Sequence, residues 1–565
     1  MVRARLEAHL VGLGVSFLTV WLMLLTEPRM AIHWDEGYTL GREEALRDWF
    51  GALRDPARFA ANWKPRPLAD ELVQRPSRWL PPRPDQLDSR QKLLFDHDVL
   101  AWFWPFAREE PHGHPPFYAL LGLTGDLLAP SWRELSRARL GPILLFGLTA
   151  GAIFSFLATR WGKWAAALGS GSWVFQPNLF AHGHYAAYDG VLSSLWVLSV
   201  IAFISAVEQE PGLGSRRARL AFSVAFGIIL GCAAATKLTG WFLPLPFLAW
   251  AVLYRSRQGF ITLGVGVIIA AVVVFALQPP WWSEPVMGLL RFLESNLSRG
   301  TTIPIKIQFL GTSYDTPKQS LPWYNTLVWT LFVTPVGFLV LGAAGIWAAV
   351  RNWRNERLGI LLTGHWTFLM MLRALPHTPG HDGVRLFLPA FGLLALLGGL
   401  GAHRLLERFG RWAKVAIAAA LAEGVISVAV MMPVPLSYFS PIVGGLPGAA
   451  KLGMEPTYYW DALGQEARRF LAENTTPGKT FVFRGWATSW LYLRRTGELP
   501  RQVAPIDGDS PQWVVLQNRP GAFSDADRAL VAEGRPAYTL KKLGVDLIWI
   551  FPFSELERVT APQRP

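Results

Sequence analysis

The chain has 565 residues, of which 51% are hydrophobic and only 17% are charged, and its mean hydropathy is +0.25. This balance excludes an ordinary soluble protein of this length and predicts a polytopic α-helical membrane protein. The net charge of +13 does not indicate nucleic-acid binding, because Arg and Lys stand in short clusters between apolar runs, where they orient the spans in a bilayer. The single cysteine, Cys232, excludes an intrachain disulfide and a cysteine-based metal site.

Eleven apolar runs are long enough to cross a bilayer, which takes about 20 residues in a helix. They begin near residues 8, 138, 164, 190, 219, 240, 259, 326, 359, 384 and 413. The first run follows Arg3 and Arg5 and is not followed by a small-residue cleavage site, so it is predicted to be a retained span. A shorter run at 115–130 carries Asp126, and its length alone fits either a span or a helix lying on the membrane surface.

The distribution of basic residues decides between these two topologies. If the run at 115–130 lies on the surface, the short outer loops hold only Lys237, Arg373 and Arg385, and the other basic loop residues lie inside. If that run spans the bilayer, every later loop changes side and the bias reverses. We therefore predict eleven spans, a cytoplasmic N-terminus, and a juxtamembrane helix at 115–130 on the outer face of the cell membrane.

Two regions follow from this topology. Residues 1–432 form the transmembrane domain, with a long first outer loop at 27–137 and a second at 278–325. Residues 433–565 form a small C-terminal extracytoplasmic α/β domain, because the apolar runs shorten there and polar helix and strand patterns begin. Its predicted elements are a helix at 461–473 and strands near 479–484, 513–517 and 545–551.

Acidic residues stand at two membrane exits on the predicted outer face. Asp35 and Glu36 follow the first span in the run HWDEGYTLGR, and Asp189 opens the fourth span in AHGHYAAYDGVL. Acids at the edge of a span are costly to desolvate and are therefore functional candidates, although the first pair would also fit a simple solvated exit. Two such acids suit a general base together with a metal-binding or orienting partner.

Cations and imidazoles lie on the same predicted face. H-x-H pairs at 112–114 and 182–184 fit a metal site on a loop, and equally fit hydrogen-bonded interface histidines. Lys237 ends the fifth span in AAATKLTG, where it either snorkels or binds a lipid phosphate. Arg385, in HTPGHDGVRLFLPA beside His381, offers a second such cation.

Several nucleotide and hydrolase motifs are absent from the sequence. The chain has no GxxxxGK[ST] phosphate loop, no GxSxG elbow and no HExxH pair. An activated donor would therefore have to reach the outer face without ATP, and a lipid-linked donor satisfies that requirement.

The chain resembles the membrane-embedded glycosyltransferases with the GT-C fold, in particular the group that contains protein O-mannosyltransferases and lipid A aminoarabinose transferases. The matching positions share an order along the chain and a predicted side of the membrane: Asp35-Glu36, His114-Pro115-Pro116-Phe117-Tyr118, Asp189 and Thr236-Lys237. The resemblance covers most of the first 275 residues. Beyond them the spans agree with the group in number and orientation only.

The resemblance implies a role for each candidate residue. The catalytic candidates are Asp35, Glu36 and Asp189, and the candidates for binding the lipid phosphate are His114, Lys237 and Arg385. Asp35 would accept the proton of an acceptor hydroxyl during a direct, inverting displacement. A divalent metal ion held by Asp35 and Asp189 is a cofactor that the resemblance leaves open.

The predicted enzyme is a hexosyl- or pentosyltransferase. Its predicted partners are a polyprenyl-phosphate sugar donor, a lipid, glycan or protein acceptor, and the membrane lipids, with no nucleic acid. The alternative is a transporter or flippase of lipid-linked sugars, in which the same residues would bind without reacting, although transporter sites usually lie at mid-membrane and these residues gather at one face. A scaffold role for the C-terminal domain would not need eleven spans as an anchor.

Overall fold

The computed structural model describes residues 2–65, 80–104, 114–208, 213–302, 305–316, 318–378, 380, 382–484, 492–499 and 511–561. His112 and His381, two of the imidazoles noted in the sequence, lie outside these ranges. The described chain is mostly helical, with one two-stranded and one four-stranded sheet.

A bundle of long helices makes up most of the molecule. Seven helices are long and apolar enough, by length and composition, to cross a membrane within the described chain. They are Val2–Thr26, Glu134–Trp161, Tyr188–Val207, Leu213–Ala234, Arg257–Ala276, Pro389–Phe409 and Arg411–Met431. The chain is therefore a multi-pass membrane protein, and the predicted fold class is confirmed.

The other four predicted spans coincide with shorter or interrupted helices. They are Lys163–Phe175 with Pro177–His184, Leu238–Phe242 with Pro244–Leu253, Asn325–Val333 with Val336–Arg351, and Arg357–Ala374. Proline lacks a backbone N–H and restricts the residue before it, which explains the interruptions at Pro177, Pro244 and Pro335. The count of eleven spans stays a prediction.

The described part of the first long loop folds into one long α-helix and five short ones against one end of the bundle. They are Trp34–Arg54, Pro56–Ala61, Arg90–Phe95, His97–Phe103, Phe117–Gly122 and Thr124–Leu128. The segment predicted as one juxtamembrane helix is thus two helices, which pack on Glu134–Trp161. The contact is close, since a Cβ atom at Gly125 would lie 2.0 Å from the carbonyl oxygen of Arg137.

The second long loop holds a helix, Pro285–Thr302, and a β-hairpin. The hairpin pairs β1 (Ile305–Phe309) with β2 (Thr312–Thr316) in antiparallel register, from Ile305 opposite Thr316 to Phe309 opposite Thr312. Its two turn residues, Leu310 and Gly311, have φ of 48° and 79°, as a tight two-residue hairpin turn requires. Gly311 N donates to the carbonyl oxygen of Gly453, which joins the hairpin to the C-terminal region.

The C-terminal region contains the predicted small sheet. Its strands are β3 (Thr480–Arg484), β4 (Pro511–Gln517), β5 (Tyr538–Lys542) and β6 (Val545–Pro552), and its helices are Gly445–Lys451, Gln465–Asn474, Asp525–Glu533 and Phe553–Thr560. The strand order is β3-β4-β6-β5, with β3 and β4 parallel and the other pairs antiparallel. Sequence analysis missed β5, because YTLKK ends in two lysines and holds only two apolar residues. The domain boundary at residue 433 stays a prediction.

A segment that precedes this sheet enters the bundle. Thr457 is tied to the sheet region by a hydrogen bond from its backbone N–H to the carbonyl oxygen of Asn518. The two residues that follow, Tyr458 and Tyr459, are fully buried. The C-terminal region therefore contributes side chains to the same end of the bundle as the first loop.

Candidate functional site

The site begins at the first turn of the helix Trp34–Arg54. His33 caps this helix, because its Nδ1 accepts the backbone N–H of Asp35 at 3.2 Å, and Glu36 Oε2 accepts the backbone N–H of His33 at 3.3 Å. The local sequence H-W-D-E therefore places both acids where the helix dipole favours negative charge.

The Asp35 carboxylate is held by three donors on one oxygen. Its Oδ2 accepts the hydroxyl of Tyr459 at 2.5 Å, the hydroxyl of Tyr188 at 2.6 Å and Nη1 of Arg385 at 2.8 Å. Within the described ranges no side chain donates to Oδ1, and the side chain keeps 10% of its surface exposed. Burial alone would raise the pKa of Asp35, but Arg385 and the two hydroxyls hold that pKa well below its usual range.

Asp189 and Lys237 form the second ion pair of the site. Asp189 lies in the first turn of the helix Tyr188–Val207, and its Oδ1 is 2.6 Å from Nζ of Lys237. Its Oδ2 lies 3.6 Å from Nη1 of Arg385. Lys237 Nζ also lies 4.8 Å from the centre of the Tyr188 ring. The two predicted acids are therefore joined through one arginine.

Arg385 is the centre of this network. Besides Asp35 and Asp189, it contacts Asp382 through Nη2 at 3.0 Å, and its guanidinium lies 5.0 Å from the centre of the Tyr459 ring. Asp382 also forms an ion pair with Arg519 of the C-terminal region, whose Nη2 lies 2.9 Å from Asp382 Oδ1. The C-terminal region thus reaches the site through both a tyrosine and an arginine.

His114 lies at the edge of the same site. Its ring centre is 3.9 Å from that of Tyr188. Two residues after Pro115, the backbone N–H of Phe117 donates to the carbonyl oxygen of Ala235 at 2.8 Å, which fixes the start of this run beside the end of the fifth predicted span. The structure therefore brings His114, Lys237, Asp189, Asp35 and Arg385 together.

Glu36 lies elsewhere, although it is next to Asp35 in sequence. Its two carboxylate oxygens are each 2.7 Å from a nitrogen of Arg139, and Oε1 also accepts the backbone N–H of Ala186 at 3.0 Å. Arg139 also contacts Glu27 at 3.1 Å. All these contacts are buried, so Glu36 links the first loop to the loop before Asp189 and does not face the cavity described next.

A cavity of about 190 Å³ opens beside the network. Its polar wall includes Lys237, Arg373 and Arg385, and its apolar wall includes Phe242, Leu369 and Leu386. One side of the cavity is therefore cationic and the other suits hydrocarbon.

The residues that sequence analysis missed differ in how they could have been found. Tyr188 directly precedes Asp189, so its position beside an acidic candidate at a membrane exit could have indicated it. Tyr459 is separated from Asp35 by 424 positions, and nothing in its neighbourhood marks it. Nothing in the sequence around Arg519 indicates a site either, and the sequence indicates Arg373 only as a basic residue of a short outer loop.

The predicted metal ion finds no suitable ligand set in the described part of the chain. No group of three or more His, Cys, Asp or Glu residues there is arranged to hold one. Asp35 and Asp189 are instead paired with Arg385 and Lys237, and these cations would repel a divalent ion. The arrangement does not fit a metal ion, and no chemical step is assigned to one.

Comparison with known proteins gives one sequence match and a set of structural ones. Residues 114–283 match the family described as dolichyl-phosphate-mannose-protein mannosyltransferase. No curated protein sequence matches the chain. The crystal structure of ArnT from Cupriavidus metallidurans bound to undecaprenyl phosphate is similar over 96% of this chain and 97% of its own, with 14% identity and a TM-score of 0.50. The Archaeoglobus fulgidus oligosaccharyltransferase in its apo form covers 91% of this chain and 69% of its own, with 12% identity and a TM-score of 0.43.

The likeness to ArnT extends over nearly the whole of both chains, and at this identity it shows the fold. The chain therefore has a GT-C fold, and the resemblance found in the sequence is confirmed. The family match lies in the part of the chain that carries His114, Asp189 and Lys237. Together the match and the fold support a membrane glycosyltransferase.

Proposed function

We propose that this GT-C membrane protein transfers a sugar from a polyprenyl-phosphate donor to an acceptor hydroxyl, with Asp35 as the base. The observation that carries the proposal is the chain of ion pairs Lys237–Asp189–Arg385–Asp35, whose two cations line the cavity. This chain sets a carboxylate beside cations that suit a phosphate, which are the two charges that such a transfer requires.

The cavity suits both parts of the donor. Lys237 and Arg385 are cations that bind phosphate oxygens well, and Arg offers a planar donor pair for them. Leu369, Leu386 and Phe242 offer an apolar surface for the first isoprene units. The sugar would then lie between the phosphate and Asp35.

The reaction is a direct displacement at the anomeric carbon. The acceptor oxygen attacks this carbon while its proton passes to Oδ1 of Asp35, the oxygen to which no described side chain donates. The bond between the anomeric carbon and the phosphate oxygen breaks, and the phosphate leaves with the electron pair. Attack opposite the leaving group inverts the anomeric configuration.

The ion-pair chain explains how a carboxylate with a low pKa can act as the base. Before transfer, the positive charge of Arg385 stabilises the Asp35 carboxylate, whose Oδ2 lies 2.8 Å from Nη1 of Arg385. When Asp35 takes the proton it loses its charge, and at the same step the leaving phosphate gains one. The attraction of Arg385 then passes from the carboxylate to the phosphate, which stabilises both products of the step.

The remaining features of the proposal concern side and substrate. We place the reaction on the extracytoplasmic face, with the N-terminus in the cytoplasm and the C-terminal region outside, as the loop charges predict. The donor carries a hexose or a pentose, and the acceptor is a lipid, a glycan or a protein. In this scheme Glu36 positions the loop before Asp189 and does not react.

The test is a transfer assay with the full chain in lipid vesicles. A panel of polyprenyl-phosphate sugars, each labelled in the sugar, is offered with mixed lipid, glycan and peptide acceptors, and the product is analysed by NMR. Transfer with inversion of the anomeric centre supports the proposal. Retention would refute the direct displacement, and movement of the donor across the vesicle without any transfer would favour a flippase.

A further inference from the structure

Arg373 is a buried cation that the ion-pair chain does not use. It lies in the last turn of the helix Arg357–Ala374, its residue surface is only 4% exposed, and it lines the cavity with Lys237 and Arg385. Its Nε and Nη2 are buried and have no hydrogen-bond partner among the described residues. A buried charge without a partner is costly to the fold, so its presence calls for a ligand.

The other two cations of the cavity differ from Arg373 in this respect. Lys237 is 2.6 Å from Asp189, and Arg385 contacts Asp35 at 2.8 Å. Arg373 lies within 4.0 Å of no carboxylate oxygen in the described ranges. The carbonyl end of its helix attracts a cation, but this weak attraction does not replace a charged hydrogen-bond partner.

We infer that Arg373 anchors the single negative charge of the donor phosphodiester before the reaction. This inference rests on the proposed function and assigns the resting donor to a different cation from the one that acts during transfer. The phosphodiester brings one negative charge, and Arg373 is the cation here whose charge no described carboxylate offsets. The second negative charge appears only when the phosphate leaves, and Arg385 is released from Asp35 at that step.

Because Arg373 binds the resting donor and Arg385 stabilises the leaving phosphate, donor affinity and turnover depend on different residues. Loss of Arg373 weakens the donor complex and the phosphate complex alike, so KM for the donor rises while kcat changes little. Loss of Asp35 lowers kcat instead. A residue that merely supported the fold would not produce this split.

The experiment measures binding of polyprenyl phosphate without a sugar to purified full-length Arg373→Met, Arg373→Lys and wild type. The matched control is Arg354→Met, which removes an exposed arginine from the turn at the opposite end of the same helix. Polyprenol, which lacks the phosphate, serves as the second probe. Thermal unfolding is followed with and without each lipid.

We expect Arg373→Met to bind polyprenyl phosphate at least about tenfold more weakly than wild type, since a hydrogen bond to a charged group is worth about 1.5–3 kcal/mol. Arg373→Lys should recover part of the loss, and Arg354→Met should bind as wild type does. Polyprenol should bind all four proteins equally. Without lipid, Arg373→Met should unfold at the same temperature as wild type or higher, because it no longer buries an unpaired charge.

Wild-type affinity for polyprenyl phosphate in Arg373→Met would overturn the inference. Failure of Arg373→Met to fold would also overturn it, because the fold would then depend on a partner for this side chain. Failure of the proposed function looks different: polyprenyl phosphate would bind in an Arg373-dependent way, yet no sugar would be transferred from any donor of the panel.

Discussion

Replacement of Asp35 by Asn tests the proposed base with little change of shape. The amide keeps an oxygen that can accept the hydroxyls of Tyr188 and Tyr459. Arg385 keeps its contacts with Asp382 at 3.0 Å and Asp189 at 3.6 Å. The variant should therefore fold, bind donor and lack only the group that takes the proton.

The expected loss follows from the role of that group. A positioned general base contributes about 10²–10⁴-fold to a rate, or about 3–5 kcal/mol of the barrier. Asp35→Asn should lower kcat by this factor, and it should lower KM for the donor or leave it unchanged, because Arg385 is now free to bind the phosphate in the ground state. Initial rates of sugar transfer, measured over a range of donor concentrations, give both constants.

Glu36→Gln is the matched control for this substitution. It makes the same acid-to-amide change one residue along the same helical turn, but it breaks a buried pair in which Arg139 binds both carboxylate oxygens at 2.7 Å. Removing one partner of such a pair costs about 3–5 kcal/mol of stability. We expect a lower unfolding temperature and, in the folded fraction, a kcat within about threefold of wild type. An Asp35→Asn protein that retains more than about a tenth of wild-type kcat would refute the base assignment.

Three further predictions concern the supports of the site. Tyr459→Phe removes one of three donors to the proposed base and so raises the pKa of Asp35. The acid limb of the kcat/KM profile, which a carboxyl with so low a pKa places below about pH 4, should therefore move to higher pH, whereas Tyr458→Phe should leave it in place. Asp461 is a buried carboxyl two residues after Tyr459. Its burial raises its pKa to about 7 from the ordinary 3.8, so its contribution to stability is lost as pH rises from about 4 to 7. Asp461→Asn should flatten this dependence in thermal unfolding and add up to about 4 kcal/mol at neutral pH. Lys237→Met leaves a buried carboxylate without its nearest cation and should destabilise the protein by about 3–5 kcal/mol, while the double variant with Asp189→Asn should recover part of that stability. Equal unfolding temperatures of the single and double variants would contradict the pairing.

The local part of the site could be predicted from the sequence because its residues stand at membrane exits. An acid or a lysine at the end of an apolar run is conspicuous, and Asp35, Asp189 and Lys237 are all of this kind. Glu36 has the same local signal as Asp35 but faces Arg139. Which of two neighbouring acids faces Arg385 depends on the direction of each side chain from the helix, and a pattern of residue types does not fix that direction.

The long-range part of the site could not be predicted. Tyr459 and Arg519 come from a region that sequence analysis treated as a separate domain, and their contacts with Asp35 and Asp382 arise only when that region packs on the bundle. The same limit applies to the fold. Apolar runs indicate where helices lie, but the interruptions at Pro177 and Pro335 divide two of them, and β5 is held by pairing with β6 more than by its own sequence.

The hydroxyl of Tyr459 on the Asp35 carboxylate has a consequence for the order of events during biosynthesis. The ribosome makes Asp35 early, Tyr188 and Arg385 later, and Tyr459 last. While the chain is being inserted into the membrane, its first loop therefore carries a carboxylate that lacks the partners that lower its pKa. The network around Asp35 is therefore complete only after the C-terminal region has been synthesised and has docked on the bundle.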